Sequence, residues 1–88
     1  MEVVIMNSYL RSIKKTRNVD LLSELKATAD IIVEAKNLTE ILDVKKMSRA
    51  DGFYRIKIGQ FRLGIFVDNS TLQLIVFANR KDIYKKFP

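Results

Sequence analysis

The residues best suited to chemistry are cations set among apolar residues in the last thirty-six positions, 53–88. This segment carries seven Lys and Arg against two Asp, a net charge of +5, whereas residues 1–52 carry nine against eight acidic residues, a net charge of +1. The basic surplus is therefore local, and a local positive charge attracts a phosphate-rich partner. The seven cations are Arg55, Lys57, Arg62, Arg80, Lys81, Lys85 and Lys86.

Three of these cations are expected on one face of a β-hairpin. The alternation in residues 53–58, FYRIKI, points Arg55 and Lys57 to the same side, about 6.5–7 Å apart. A two-residue loop, Gly59-Gln60, then returns the chain, so that Arg62 lies on the next strand near Lys57. Cations without a carboxylate between them repel one another unless an anion binds. Exposed Lys and Arg can also merely cover apolar surface with their stems, but the cluster as a whole favours an anion site.

If the anion is an RNA phosphate, these residue types allow cleavage without a metal. The ribose 2′-hydroxyl can attack its own 3′-phosphate, a reaction that DNA cannot undergo. Arginine donates hydrogen bonds to the phosphoryl oxygens, and a lysine crowded by cations has a lowered pKa and can act as a base. The chain contains neither His nor Cys, which excludes disulfides and thiolate metal sites and removes the usual acid–base group. We expect no metal and no cofactor.

Length and charge narrow the class of protein. Eighty-eight residues suffice for one compact core, and we expect a single domain over residues 1–88. The apolar runs are far shorter than the ~20 residues of a membrane span, and the first residues lack the features of a signal peptide. The expected location is cytoplasmic. A net charge of +6 suits nucleic acid, an acidic protein partner, or simply a soluble basic surface.

The first half of the chain predicts a strand followed by two helices. Residues 2–6 are rich in β-branched side chains and predict a strand. Asn7 or Ser8 is expected to cap the first helix, and Asn18 or Asp20 the second. The apolar residues expected to face the core are Tyr9, Leu10 and Ile13 in the first helix and Leu22, Leu25, Ala29 and Ile32 in the second. The short gap between the helices favours an antiparallel hairpin.

The second half predicts three consecutive strands. Residues 38–51 form a connector without a clear period, although residues 44–47 could begin a strand. The hairpin strands follow, and a turn at residues 68–70 leads to a last, strongly apolar strand before a short tail. The order β-α-α-β-β-β predicts an α/β fold of the α+β type, with the helical hairpin packed on a largely antiparallel twisted sheet.

The chain resembles the RelE/ParE superfamily, the toxins of type II toxin–antitoxin systems, and within it the RelE-like branch. The likeness covers essentially the whole chain and is most specific in YRIKIGQFRLGIF, residues 54–66, and NRKDIYKKFP, residues 79–88. It implies a small domain with an antiparallel-dominated sheet and helices on one face. It also implies a cognate antitoxin, whose acidic or amphipathic segment folds upon the toxin and holds it inactive.

Similarity to RelE-type members implies a metal-independent endoribonuclease, an mRNA interferase that needs the ribosome and cleaves mRNA in the A site. The resemblance assigns Lys57 as the general base, with Arg55 as the second member of the basic pair. Arg62 steadies the transition state, and Arg80 stabilises charge or protonates the leaving group. Tyr84 stacks on or orients a base.

Three basic residues of the tail have two alternative interpretations. They are candidate contacts to ribosomal RNA or a solvated chain end, and they are Lys81, Lys85 and Lys86. Tyr84 likewise has an alternative role, as an amphipathic anchor that holds the tail to the sheet.

Some positions depart from the family pattern. Arg55 stands where a lysine occurs in the best-studied pattern, and Asn79 stands where many relatives have a histidine. The spacing from Arg80 to Tyr84 is shorter than in some members. The superfamily also includes ParE-type toxins, which inhibit DNA gyrase and lack the nuclease residues. The four cations together with Tyr84 favour the nuclease branch over that alternative. A third alternative is an inert basic domain that binds RNA without cutting it.

Overall fold

The computed structural model describes the backbone of residues 1–88 and every side chain except that of Lys86. A five-stranded sheet has the order β1-β5-β4-β3-β2. The elements, in chain order, are β1 (Glu2–Ile5), α1 (Asn7–Lys15), α2 (Val19–Glu34), a 3₁₀ turn (Leu38–Glu40), β2 (Val44–Lys46), β3 (Phe53–Ile58), β4 (Phe61–Asp68), β5 (Thr71–Asn79) and α3 (Arg80–Lys86). No described helix combines the length and apolar composition needed to cross a lipid bilayer.

The sheet is antiparallel apart from one pair of strands. β2, β3, β4 and β5 pair as antiparallel neighbours, and β1 runs parallel to the first half of β5. The predicted hairpin is confirmed, because Ile58 pairs with Phe61 across Gly59-Gln60. Gly59 has φ +58°, a left-handed conformation that the first loop residue of such a hairpin requires. The α+β fold class with a largely antiparallel sheet is confirmed.

The main core lies between one face of the sheet and the first two helices. α1 packs along β5, and α2 packs over β1 and β3. Alternate residues of the central strands point into this layer, as the period of two requires. The fully buried residues at its centre are Ile32, Ile56, Leu63, Ile65 and Leu72.

A smaller apolar cluster lies on the opposite face, where the sequence predicts only a tail. Residues 80–86 form α3, which packs on β4 and β5. Ile83 and Phe87 are 0% and 2% exposed, and they bury Met47 and Ala78 beneath them. The sheet thus carries helices on both faces rather than on one. The connector also contributes the short edge strand β2.

α1 closes the free edge of β5 by means of two serines. β1 pairs with β5 only as far as Leu74, which leaves the next residues of β5 without a strand partner on that side. The Ser8 hydroxyl donates to the carbonyl of Ile75 (2.5 Å), and the amide of Phe77 donates to the Ser12 hydroxyl (2.9 Å). The helix therefore supplies hydrogen bonds that a neighbouring strand would otherwise provide.

The helix caps confirm one prediction and correct another. Asn18 precedes α2 and its side chain accepts from the amide of Leu21 (3.0 Å), as predicted. The prediction for α1 is wrong, because Met6 occupies the cap position and makes no side-chain bond there. The Ser8 hydroxyl instead donates to the carbonyl of Ile75 at the edge of β5. Leu10, expected in the core, is 45% exposed because α1 turns that side away from the sheet.

Candidate functional site

The hairpin brings two of the proposed catalytic cations into direct opposition. Lys57 on β3 lies opposite Arg62 on β4, and Arg55 lies opposite Gly64. Side chains directly opposite each other have Cβ atoms about 4.5–5.5 Å apart and point to the same face. This is the face that also carries α3. The hairpin therefore gathers the three cations as its loop length predicts.

Arg80 is held at the same end of the sheet by the hairpin loop. Phe61, at the start of β4, pairs with Asn79 at the end of β5. The backbone amide of Arg80 then donates to the carbonyl of Gln60 (2.9 Å). Arg80 consequently begins α3 beside the loop that Arg62 follows, so a cation from β5 joins the cluster from the hairpin.

The guanidinium of Arg62 is oriented by the backbone of the hairpin. Its Nη1 donates to the carbonyl oxygens of Gly59 (3.1 Å) and Phe61 (2.9 Å). A guanidinium has five N–H donors in a rigid fork. Fixing one nitrogen against the turn leaves the other donors to meet an anion in a defined orientation.

Tyr84 lies one turn beyond Arg80 on α3 and contacts Arg55. Nη1 of Arg55 donates to the Tyr84 hydroxyl, and the guanidinium carbon lies 5.5 Å from the centre of the ring. The tyrosine is 48% exposed, so part of its ring remains available to a ligand. Ile83 and Phe87, rather than Tyr84, anchor the C-terminal segment to the sheet.

These cations form no ion pair within 4.0 Å among the described side chains. Among the side chains that the structure describes, one ion pair is present, between Lys46 and Asp51 (3.5 Å), and both side chains are exposed. Lys57, Arg62 and Arg80 thus have no described carboxylate within 4.0 Å. Like charges held together without counter-charges create a positive potential that favours an anion, above all a phosphate with its several oxygens.

Two further cations near Arg55 were missed from the sequence. Lys45 on β2 lies directly opposite Arg55. Arg49 lines a cavity of about 160 Å³ together with Arg55 and Tyr84. The possible strand at residues 44–47 was the available signal, since its register with β3 would have placed Lys45 beside Arg55.

Two further basic residues of α3, Lys81 and Lys85, make no described contact with this cluster. Lys81 and Lys85 are exposed, and the backbone amide of Lys81 donates to the Asn79 side chain (2.9 Å). The side chain of Lys86 lies outside the described residues. Their proposed contacts to ribosomal RNA stay a prediction.

Sequence comparison finds a relative whose identity to this chain is high enough to indicate a common family. No protein-family model matches the chain. Toxin RelE3 of Methanocaldococcus jannaschii is 37% identical in an alignment of 62 positions that covers 66% of this chain and 70% of the relative. The sequence similarity therefore spans most of both proteins.

Solved structures share the fold over nearly the full chain. A chain of the RelB-RelE antitoxin–toxin complex from Methanococcus jannaschii has a TM-score of 0.82 at 25% identity, covering 97% of this chain and 99% of that one. The toxin–antitoxin complex RelBE2 from Mycobacterium tuberculosis gives 0.69 at 18% identity, with 90% and 96% covered. YafQ from Escherichia coli gives 0.65 at 10% identity, with 94% and 97% covered. At these last two identities the likeness concerns the fold alone. The sequence relationship and the shared fold together establish that this chain belongs to the RelE-like branch of the RelE/ParE superfamily of type II toxins.

Proposed function

We propose that this toxin is a ribosome-dependent mRNA endoribonuclease, an mRNA interferase that cleaves messenger RNA in the ribosomal A site. One observation carries the proposal. Lys57 lies opposite Arg62, Arg80 is bonded to the same hairpin loop, and none of the three has a described carboxylate within 4.0 Å. Membership in the RelE-like branch supports the choice of RNA as the polyanion.

The proposed reaction uses groups of the chain and of the RNA together with solvent water. Lys57 accepts the proton of the ribose 2′-hydroxyl, and the 2′-oxygen forms a bond to the adjacent phosphorus. The bond from phosphorus to the 5′-oxygen breaks, and that oxygen takes up a proton from water, while Lys57 later returns the 2′-hydroxyl proton to solvent. Arg62 and Arg80 donate to the non-bridging oxygens, where negative charge develops in the transition state. The products are a 2′,3′-cyclic phosphate and a 5′-hydroxyl.

Arg55 and Tyr84 are proposed to position the substrate. The exposed part of the Tyr84 ring offers a face on which a base can stack, and such stacking is worth roughly 1–3 kcal/mol per base. The hydrogen bond from Arg55 restricts the movement of that ring. Arg55 also adds positive charge beside the scissile linkage, although an arginine does not give up its proton at neutral pH.

We further propose that a cognate antitoxin is the resting partner of this toxin. The relatives with the RelB-RelE and RelBE2 names were solved as antitoxin–toxin complexes. A chain of net charge +6 with an unneutralised cationic face suits an antitoxin segment that is acidic or amphipathic and folds on binding.

The proposal is tested in a translating extract. Primer extension on the messenger RNA should reveal cuts within the A-site codon when the purified toxin is added. Arg62→Ala should lower the cleavage rate about 10²–10³-fold, the usual effect of removing one transition-state donor. The matched control is Lys26→Ala, which removes an exposed cation of α2 and should cleave at the wild-type rate.

Two results would contradict the proposal. Intact messenger RNA together with trapped, cleaved DNA in a gyrase assay would identify a gyrase inhibitor. RNA that is retained on the toxin but never cut, even on ribosomes, would identify an RNA-binding domain without nuclease activity.

A further inference from the structure

A second basic feature lies outside the proposed catalytic cluster, in a groove between α1 and β5. The groove encloses about 460 Å³. It exists because α1 covers the edge of β5 through the hydroxyls of Ser8 and Ser12 rather than through a continuous strand. The side of α1 that faces it has the helical spacing of three and four residues. The α1 residues of this wall are Ser8, Arg11, Ser12 and Lys15.

The rim of this α1–β5 groove is positively charged. Arg11, Lys15 and Arg17 line it and are exposed, whereas Asp82 is its one acidic lining residue. None of the three cations has a described carboxylate within 4.0 Å. Arg11 and Lys15 are also four residues apart on one helix, where like charges repel. An anion bound between them relieves that repulsion.

The floor of the groove is apolar. It includes Phe61 and Val76, which are both partly exposed, and Phe61 packs against Phe77 with ring centres 5.0 Å apart. A cationic rim above an apolar floor matches a nucleotide, because a nucleotide combines a charged phosphate with the apolar face of a base. A small inorganic anion would use the rim but not the floor.

The groove and the proposed catalytic cluster meet at the same end of the sheet. Asn79 lines the groove, and the next residue is Arg80. Phe61 lies on the groove floor, and the next residue is Arg62. Asn79 and Phe61 are paired across β5 and β4. Because successive residues of a strand point to opposite faces, the side chains of Phe61 and Arg62 lie on opposite faces of the sheet, and an RNA strand that passes from the groove to the cluster must cross this end of the sheet.

We propose that the α1–β5 groove binds single-stranded RNA, holding the phosphates of the nucleotides that continue from the cleaved linkage on Arg11, Lys15 and Arg17. The proposal deepens the nuclease assignment and rests on it for the identity of the polyanion. It gives the toxin an extended substrate track rather than an isolated site for one linkage.

The test measures RNA affinity as a function of salt for two variants of equal charge. The probe is a fluorescent single-stranded oligoribonucleotide of about ten nucleotides in which 2′-deoxy positions prevent cleavage. The groove variant is R11A/K15A/R17A, and the charge-matched control is K14A/K26A/K36A, whose three lysines are exposed and do not line the groove. Circular dichroism verifies that both variants are folded.

The groove variant should show a reduced dependence of affinity on salt. Each phosphate contact contributes about 0.7 to the slope of log affinity against log salt for a single strand, so losing three contacts lowers the slope by about 2. The control should keep nearly the wild-type slope. A dinucleotide, which fills only the cleavage site, should bind the wild-type chain and the groove variant equally.

Three results would overturn the proposal. Equal losses in the two triple variants would show a diffuse charge effect. An unchanged slope in the groove variant would show that RNA does not enter the groove. Binding of an acidic protein that needs these three cations, with RNA binding unaffected, would assign the groove to a protein partner. The oligonucleotide is not cleaved, so its affinity for the groove is measured independently of nuclease activity. A toxin that fails to cut mRNA on ribosomes would refute the nuclease assignment, and the affinity measurement would still decide whether RNA binds the groove.

Discussion

Replacing Gly64 by alanine tests how α3 is fixed over the candidate site. A Cβ atom at position 64 would lie 2.9 Å from the nearest atom of the Phe87 ring and 3.0 Å from two others, whereas ordinary contacts begin at 3.4 Å. The ring must therefore recede by about 0.5 Å. It has little room to do so, since Phe87 is 2% exposed and packs edge-on against Phe53, with ring centres 5.3 Å apart.

Two opposing effects set the magnitude for Gly64→Ala. Overpacking a filled apolar site costs about 1–3 kcal/mol. Replacing glycine by alanine in the middle of a strand raises the free energy of unfolding by about 0.5–1 kcal/mol, because alanine loses less backbone freedom on folding. Overpacking wins, and we expect the free energy of unfolding to fall by roughly 1–2 kcal/mol.

The assay is urea denaturation of a double-mutant cycle. The four proteins are the wild type, Gly64→Ala, Phe87→Leu and the double variant. The smaller leucine side chain leaves space above position 64, so the alanine should cost less in that background. Residues in direct contact typically show coupling energies of 0.5–3 kcal/mol, and we expect a value of about 1 kcal/mol in this range.

The same substitution should disturb the contact between Arg55 and Tyr84. Phe87 ends the segment that carries Tyr84, and its amide is bonded to the carbonyl of Ile83 (2.8 Å). Shifts of the Tyr84 ring resonances in NMR spectra would report the movement. A Gly64→Ala protein as stable as the wild type, or an equal cost in both backgrounds, would refute the close packing of Phe87 on β4.

Three further predictions address separate parts of the molecule. Ser12→Ala should lower the free energy of unfolding by about 1–3 kcal/mol, because the amide of Phe77 loses its acceptor; equal urea curves for this variant and Ser23→Ala, an exposed control on α2, would contradict it. Burial raises the pKa of Tyr9 above 10.0, so the stability it contributes is complete below pH 10 and falls as the pH rises from there toward the folded-state pKa. Tyr9→Phe should remove that part of the alkaline loss in denaturation curves, and identical curves for both proteins would speak against it. Lys57→Arg should retain RNA binding but lower cleavage about 10²–10⁴-fold, because arginine cannot serve as the base; wild-type cleavage by this variant would exclude Lys57 from that role.

The hairpin was predictable from the sequence because local rules determine it. The alternation of residues 53–58 assigns each side chain to a face. A two-residue loop beginning with Gly59 then fixes the register without reference to the rest of the chain. The opposition of Lys57 and Arg62 follows from these two facts alone. That part of the candidate site needed no tertiary information.

α3 was not predictable by the same means. Seven residues are too few for a helix to be stable alone, since nucleation is unfavourable. Its stability comes from Ile83 and Phe87, whose burial depends on space above Gly64 and Ala78 in strands distant along the chain. The spacing of four residues between the two apolar side chains was the available signal, and it acquires meaning only once the opposite sheet face is known.

The serines of α1 are a second feature whose contacts could not be predicted from the sequence. Serine is a residue type that commonly caps helices, and Ser8 lies at the start of α1, so local rules favour a capping role. The unpaired carbonyl of Ile75 competes for the same hydroxyl and wins in the folded chain. The sequence contains no sign of that carbonyl, because it becomes unpaired only where β1 ends beside β5. The polar face of α1, and with it the α1–β5 groove, is a consequence of this tertiary arrangement.

β2, which the sequence indicated only as a possible strand, and α3, which it did not indicate, both border the cation cluster. β2 brings Lys45 beside Arg55, and α3 brings Tyr84 to the same arginine. Gathering these cations with no described carboxylate within 4.0 Å is unfavourable, so the folded chain must offset the repulsion. Phe87 of the apolar cluster beneath α3 lines the same cavity as Arg55, and burial within that cluster contributes to offsetting the repulsion. Loosening this cluster should therefore weaken the site as well as the fold, and an anion bound at the cations should stabilise both.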